Sequence, residues 1–455
     1  MSKQLVKDYF RCAESLADLS VAGELSKESG YFRLGSDAIC YGQCSSVAPA
    51  LRVTDSLPEV KAGLTEAGAV QLPFNPAQVI DNLRFEKYFS DAAARDKSAA
   101  KAAIRSMYYL VRPLMPVAVR KHFQKMYLKG WDTVPFPSWP VDGTVEAIFD
   151  RLLLLSMKAS KVDRVPFIWF WPNGVPSCAI MTHDVETSAG VDFSAKLMDL
   201  NDSFGIKSSF QVVPEKRYTV SAAYLESIRT RGFEVNIHDL NHDGHLFSER
   251  EEFLRRAAKI NHYGREHGAI GFRSAVLYRK VEWFDALKFS YDMSIPNVAH
   301  LDPQRGGCCT VRPFFIGDMV ELPVTAIQDY SLFNILNDYS IRIWKDQISR
   351  IREKNGLISF IVHPDYIIDE TARRVYAELL QYLSDLRAQG ETWIALPREA
   401  ATWWRQRSRM KLVNDRGSLR IEGEGSERAR IAYAVSDGDK IAYQLAASSG
   451  QPVGV

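Results

Sequence analysis

Between about residue 165 and residue 400, short apolar runs alternate with longer amphipathic ones, and no other feature constrains the fold as much. Cys178–Thr182, Ser208–Val213, Phe233–His238, Ala269–Arg273, Tyr291–Ser294, Met319–Leu322, Leu357–Val362 and Trp393–Leu396 read as strands. Helical stretches fall between most of them: Phe193–Phe204, Ser221–Arg231, Ser248–His267, Ile341–Lys354 and Thr371–Ala388. Short strands that are apolar throughout need cover on both faces, and helices between parallel strands supply it. The expectation is an α/β unit with a parallel sheet, open or closed into a barrel. In such barrels chemistry gathers at the C-terminal ends of the strands.

The polar residues that stand out fall there. Ala179–Glu186 runs Ala-Ile-Met-Thr-His-Asp-Val-Glu, a buried strand that releases Thr182, His183, Asp184 and Glu186. Two carboxylates at this spacing suit two jobs, one binding a cation and the other staying free as a base. The plainer alternative is a capped turn, with Asp184 or Thr187 starting the next helix. His238 and His242 lie four apart in His-Asp-Leu-Asn-His-Asp-Gly-His, which is poor helix material but suits a loop after a strand. Imidazole pairs at this spacing can close on Zn²⁺ and its neighbours. His245 lies close by. Arg273 and His363 end two further strands. Each has a plainer reading too, as a core-edge ion pair or a satisfied loop histidine.

Bulk properties narrow the classes. The 455 residues are enough for two or three domains. A net charge of +2 argues against a nucleic-acid binder held by general electrostatics. The six cysteines form no paired C-x-x-C knuckles, so a zinc finger is not expected. No run reaches the roughly 18 apolar residues of a membrane span. The first residues lack the apolar core of a secretory signal, so a cytoplasmic location is expected. Lys97–Lys129 carries basic residues, no acid and interleaved aromatics. It suits either a solvated basic helix face or peripheral contact with an anionic membrane. The expected division is a mainly helical region at 1–164, the α/β unit at 165–407, and a small antiparallel β appendage at 408–455.

Taken in order, Thr182-His-Asp184-Val-Glu186, His238-Asp-Leu-Asn-His242, Gly271-Phe-Arg273-Ser and Ile361-Val-His363-Pro364 resemble the motifs of the polysaccharide deacetylases of carbohydrate esterase family 4. That family contains the chitooligosaccharide-deacetylase homology domain. The resemblance covers about residues 165–407 and implies a distorted (β/α) barrel. By position, it implies Asp184 as catalytic base, Arg273 holding that base, and His363 as general acid. It implies Glu186, His238 and His242 as ligands of a divalent metal, Zn²⁺ first and Co²⁺ or Ni²⁺ as alternatives. The chain departs from the family pattern in four places. Glu186 replaces an Asp and sits one residue further on. His183, which packs or adds a ligand, stands where an aromatic is usual. Ser-Ala-Val follows Arg273 in place of Pro-Tyr. The Asp/Trp motif is not visible around Met319–Thr325, where Glu321 or Asp318 could orient His363.

The expected function is metal-dependent removal of an N-acyl group, acetyl first, from an amino sugar in a polysaccharide, glycolipid or sugar precursor. Hydrolysis of another linear or cyclic amide on the same fold is the alternative within enzymes. A non-catalytic carbohydrate-binding protein is the alternative outside them. Trp403 and Trp404 could stack on sugar or pack in the core, with packing favoured. Cys308 and Cys309, beside Gly306 and Gly307, suit packing in a tight loop better than a metal or redox pair.

Overall fold

The computed structural model describes residues 2–12, 16–36, 38–65, 68–95, 117–415 and 418–446. Its centre is a curled, nine-stranded sheet. The strands are β1 (Ser177–Val185), β2 (Ser209–Val212), β3 (Glu234–His238), β4 (Gly271–Arg273), β5 (Tyr291–Asp292), β6 (Phe314–Ile316), β7 (Met319–Glu321), β8 (Leu357–Ile361) and β9 (Thr392–Ala395). Their order is β6-β7-β5-β4-β3-β2-β1-β8, with β9 also on β1. All pairings are parallel except β6 with β7. This is the parallel sheet expected from the alternation, in the distorted (β/α) barrel form that the motif resemblance implied. All eight expected strands are present, and β6 was not foreseen.

The distortion has a local origin in β1. Its nine residues are all buried. Cys178–Thr182 pair with β8 along one edge. On the other edge Ser177–Ile180 pair with β9, and Thr182–Val185 pair with β2. Two strands therefore share one edge in succession, which breaks the regular circuit. The helices α1 (Ser188–Ser203), α2 (Ala222–Arg229), α3 (Arg250–Glu266), α4 (Arg342–Glu353) and α5 (Glu370–Ala388) follow β1, β2, β3, β7 and β8, and α6 (Pro397–Arg409) follows β9. The helix after β1 is capped by Thr187, whose Oγ1 accepts from Gly190 N–H. That cap leaves Asp184 with other partners.

Polar contacts tie β3, β4 and β5 together at the N-terminal ends of the strands. The Tyr291 hydroxyl donates to Glu234 and to Asn236 Oδ1. Gly271 N–H donates to the same Asn236 oxygen at 2.9 Å. The Tyr291 ring fills the space that a side chain at 271 would need, so the strand requires glycine there.

Outside the barrel the N-terminal region holds helices Ser2–Phe10, Pro76–Arg84, Lys87–Arg95, Val117–Leu128 and Thr144–Ser160. It also holds two small three-stranded sheets, which the sequence reading did not anticipate. The C-terminal strands form the expected antiparallel hairpins, Lys411–Asp415 with Ser418–Glu422 and Ile431–Asp437 with Lys440–Leu445. Ile431–Asp437 pairs in addition with Arg164–Ile168, the strand in which the expected 164/165 boundary falls. One apolar core runs through the N-terminal region, the barrel and these strands. Among the described residues no helix is long and apolar enough to cross a membrane.

Candidate active site

Alternation along β1 divides its last polar residues between two faces. His183 turns away from the strand ends. Its Nδ1 faces Val362 O at 3.1 Å, and its Nε2 lies 2.9 Å from Asn201 Nδ2, which donates to it. Burial holds its pKa down at about 4, so the ring is neutral. His183 is a packed residue, and the extra-ligand reading does not hold.

Thr182 and Asp184 face the other way. Thr182 Oγ1 donates to Phe360 O at 2.6 Å and accepts from Arg273 Nη2 at 3.0 Å. Arg273 Nη1 lies 3.4 and 3.3 Å from the two oxygens of Asp184. Both partners are buried. Burial pushes the Asp184 carboxyl up, but Arg273, His238 and His363 outweigh it and hold it below the usual range.

His238 ends β3 opposite Arg273. Its Nδ1 meets Arg273 O at 3.2 Å, which fixes the tautomer and aims Nε2 at the carboxylates. That nitrogen lies 3.7 Å from Asp184 Oδ2 and 3.6 Å from Glu186 Oε1. The chain then turns back sharply. Asp239 and His242 have φ of 57° and 54°, conformations rare for residues other than glycine. The turn brings His242 Nε2 to 2.8 Å from Glu186 Oε1.

One ligand atom from each of Glu186, His238 and His242 falls within 4.8 Å of the others. The Nε2 atoms of His238 and His242 are buried, and among the described residues no hydrogen-bond donor faces either. Two imidazole nitrogens without a donor to accept from, beside a carboxylate, suit a divalent cation. The backbone contact behind His238 is the outer support such a ligand needs. His245 lies outside this cluster, exposed, with Nδ1 3.4 Å from Ser248 Oγ.

His363 follows β8. Its backbone N–H donates to Asp329 Oδ2 and its Nδ1 to Asp329 Oδ1, both at 2.7 Å. Its Nε2 faces Glu186 Oε1 at 3.4 Å. Burial lowers the His363 pKa, but Asp329 and Glu186 outweigh that and raise it well above the ordinary value. The orienting acid is therefore Asp329, and neither Glu321 nor Asp318. Glu321 accepts from Ile295 N–H at 3.0 Å and lies opposite Asp292 on the neighbouring strand. Asp318 sits exposed in the turn between β6 and β7. Asp329 escaped the sequence reading because Ala326-Ile-Gln-Asp-Tyr carries no motif. The signal it offered was an acid in an otherwise uncharged stretch.

Aromatic rings border His363. Tyr366 lies 4.9 Å from His363, and Tyr330 lies 5.7 Å from Tyr366. Trp403 and Trp404 are elsewhere, 1% and 6% exposed in the core with Phe170 and Trp171. The turn after Arg273 has left-handed Val276 and Leu277, at φ 58° and 54°. Leu277 packs with Val324 and with Ile361, two residues before His363. Ser274 N–H donates to Ser294 Oγ at 2.8 Å, so that amide is already engaged.

No family model and no curated protein matches the chain. Solved structures with a similar fold include a Mycobacterium smegmatis protein assigned as a polysaccharide deacetylase, at 18% identity and TM-score 0.43, covering 52% of this chain and 93% of that one. Puue allantoinase is similar at 12% identity and TM-score 0.40, over 51% and 92% of the two chains. Peptidoglycan deacetylase PdaC from Bacillus subtilis is similar at 13% identity and TM-score 0.33, over 50% and 93%.

Proposed function

We propose that residues 165–407 form the catalytic unit of a divalent-metal-dependent hydrolase that removes an N-acyl group, acetyl first, from an amino sugar. The observation that supports this best is the convergence of two separately held groups on one ligand set. Asp184 is held by Arg273 and His363 by Asp329, and both face the cluster of Glu186, His238 and His242. A binding protein has no use for a base, its orienter and an oriented acid.

Glu186, His238 and His242 would hold the ion, with Zn²⁺ favoured by the donor set and Co²⁺ or Ni²⁺ compatible with it. Such an ion polarises a carbonyl and lowers the pKa of water. Asp184, kept ionised by Arg273, takes a proton from the attacking water. Backbone N–H groups of the turn after Arg273 stabilise negative charge on the former carbonyl oxygen. His363 gives its Nε2 proton to the amide nitrogen as the C–N bond breaks, since an unprotonated amine is a poor leaving group. Acetate and a free amino sugar result.

Amine release from a panel of N-acetylated amino-sugar oligomers and glycolipids, beside linear and cyclic amides, tests this. The metal-loaded protein should release amine from the sugars. Asp184→Asn should lower the rate on the order of 10²–10⁴-fold. Release from cyclic amides alone, or an unchanged rate in Asp184→Asn, would contradict the reading.

We also infer a peripheral placement on an anionic membrane through the helix Val117–Leu128. Residues 96–116 of the basic stretch lie outside the described residues. On this helix Phe123, Met126 and Tyr127 are 46%, 59% and 57% exposed, at the spacing of one helix face. Lys125 and Lys129 are exposed beside them. Apolar groups flanked by cations fit an anionic lipid surface. Tyr330 donates to Gln124 of this helix, which links it to the aromatic rings beside His363. Flotation with vesicles containing phosphatidylserine should carry the protein up, and Lys125→Glu/Lys129→Glu should leave it at the bottom. Equal behaviour of the two proteins would remove the placement.

A further inference from the structure

We propose that Glu86, in the N-terminal region, is a positioning residue for the turn Ser274–Tyr278 beside the site. The functional part rests on the N-acyl hydrolase reading above.

Glu86 stands between helices Pro76–Arg84 and Lys87–Arg95, at φ 54°. A non-glycine residue at positive φ is uncommon, and here it delivers a carboxylate into the interior. Glu86 is buried, as is its partner Arg279. Arg279 Nε donates to Glu86 Oε2 at 2.6 Å, and Nη2 donates to Oε1. Gly307 N–H donates to the same Oε1 at 2.6 Å. A side chain at Gly306 would run into that oxygen, and one at Gly307 into Asn297 O. Tyr88 closes the far side by donating to Gly307 O at 2.6 Å. The Gly306-Gly307 pair before Cys308 and Cys309 is thus shaped by a carboxylate more than two hundred residues earlier. Both cysteines are buried.

Arg279 passes this constraint to the turn. Its remaining nitrogen, Nη1, donates to Leu277 O at 2.7 Å. Its own backbone is clamped by Gln304, which accepts from Arg279 N–H at 3.0 Å and donates to Arg279 O at 3.1 Å. The held residues are the ones that need holding. Val276 and Leu277 adopt left-handed conformations, and Val276 is β-branched. Such conformations persist only where surrounding contacts impose them. Leu277 packs on Val324 and Ile361, so its position sets part of the apolar wall near His363. If Glu86 is lost, the guanidinium loses its anchor and the turn can relax toward ordinary backbone angles. The wall then moves, and with it the fit of the acyl group.

The test compares Glu86→Gln with Leu83→Ala in the metal-loaded full chain. Leu83 is a buried residue of the adjacent helix and controls for general loosening of the region. Hydrogen exchange at the amides of residues 275–280 should quicken in Glu86→Gln and not in Leu83→Ala. Turnover of an N-acetyl amino sugar should fall on the order of a hundred-fold in Glu86→Gln, the scale of a small misplacement of a reacting group. The ratio of N-butyryl to N-acetyl turnover should rise in Glu86→Gln and stay put in Leu83→Ala. Should Glu86→Gln not fold, Arg279→Lys takes its place, since lysine cannot bridge Glu86 and Leu277 O together. Exchange that quickens equally in the two variants, or not at all, overturns the proposal. Local quickening with an unchanged acyl ratio overturns the functional part. If the wild-type chain releases no amine from any N-acyl sugar, the hydrolase reading falls, and exchange alone still decides whether Glu86 positions the turn.

Discussion

At the scale of single residues, Asp329 controls when the His363 ring is charged. Burial alone would depress the His363 pKa, and Asp329 and Glu186 reverse that. With Glu186 engaged by a cation its pull on His363 weakens, while the Asp329 bond remains. A pKa raised in the folded state adds stability fully present below the unfolded value of roughly 6.5, and lost as pH rises through the raised value. In the role proposed for His363, turnover by the protonated ring follows the same direction. Asp329→Asn should therefore move the alkaline limb of the kcat profile to lower pH and lower its plateau. The acid limb should change less, because Asp184 is held down by Arg273. A pH–rate series on the two proteins checks this, and an unmoved alkaline limb would count against His363 as the acid. The residues legible in the sequence were those whose chemistry is scarce and sits at strand ends: Asp184, Glu186, His238, His242, Arg273 and His363. Their side chains converge in the folded chain. Asp329 was not legible, because a lone acid announces no partner. The face taken by His183 was open until β1 had a fixed pleat.

At the scale of elements, strand existence followed from apolar runs and strand geometry did not. The nine residues of β1 serve three neighbours, and no local pattern shows that β9 and β2 share one edge. The short β6 was missed because it folds back on β7 across the two-residue turn 317–318, with no helix between them to mark a separate strand. The two N-terminal sheets were missed because their strands follow one another between Phe10 and Pro76 with no helix between them among the described residues, so the alternation that marks the barrel is absent there. Gly271 shows how a tertiary contact fixes a residue that the strand pattern tolerates poorly. Its missing side chain makes room for the Tyr291 ring, and Tyr291 in turn bonds Glu234 and Asn236 at the N-terminal ends of the strands. Loop backbone does the corresponding work at the C-terminal ends, where left-handed Asp239 and His242 bring the second imidazole back to Glu186.

At the scale of the molecule, the segments read apart in sequence are knitted together. Arg407 of α6 donates to carbonyls of Tyr9, Phe10, Ile168 and Trp169, joining the first helix to the barrel's last one. Glu86 does the same nearer the site. These long-range bonds have no sequence signature, since each partner alone is an ordinary buried polar residue. The central claim remains the ligand set, because Asp184 and His363 both face it. Binding a cation to the folded chain and not to the unfolded one would add about 2.7 kcal/mol at a hundred-fold excess over Kd. The most direct measurement is metal content of the purified protein, wild type beside His238→Ala/His242→Ala, after equilibration with Zn²⁺, Co²⁺ or Ni²⁺ and removal of excess. About one divalent ion per chain in the wild type, and none in the double variant, is the predicted result. No retained ion in the wild type, or equal content in both proteins, would contradict the account.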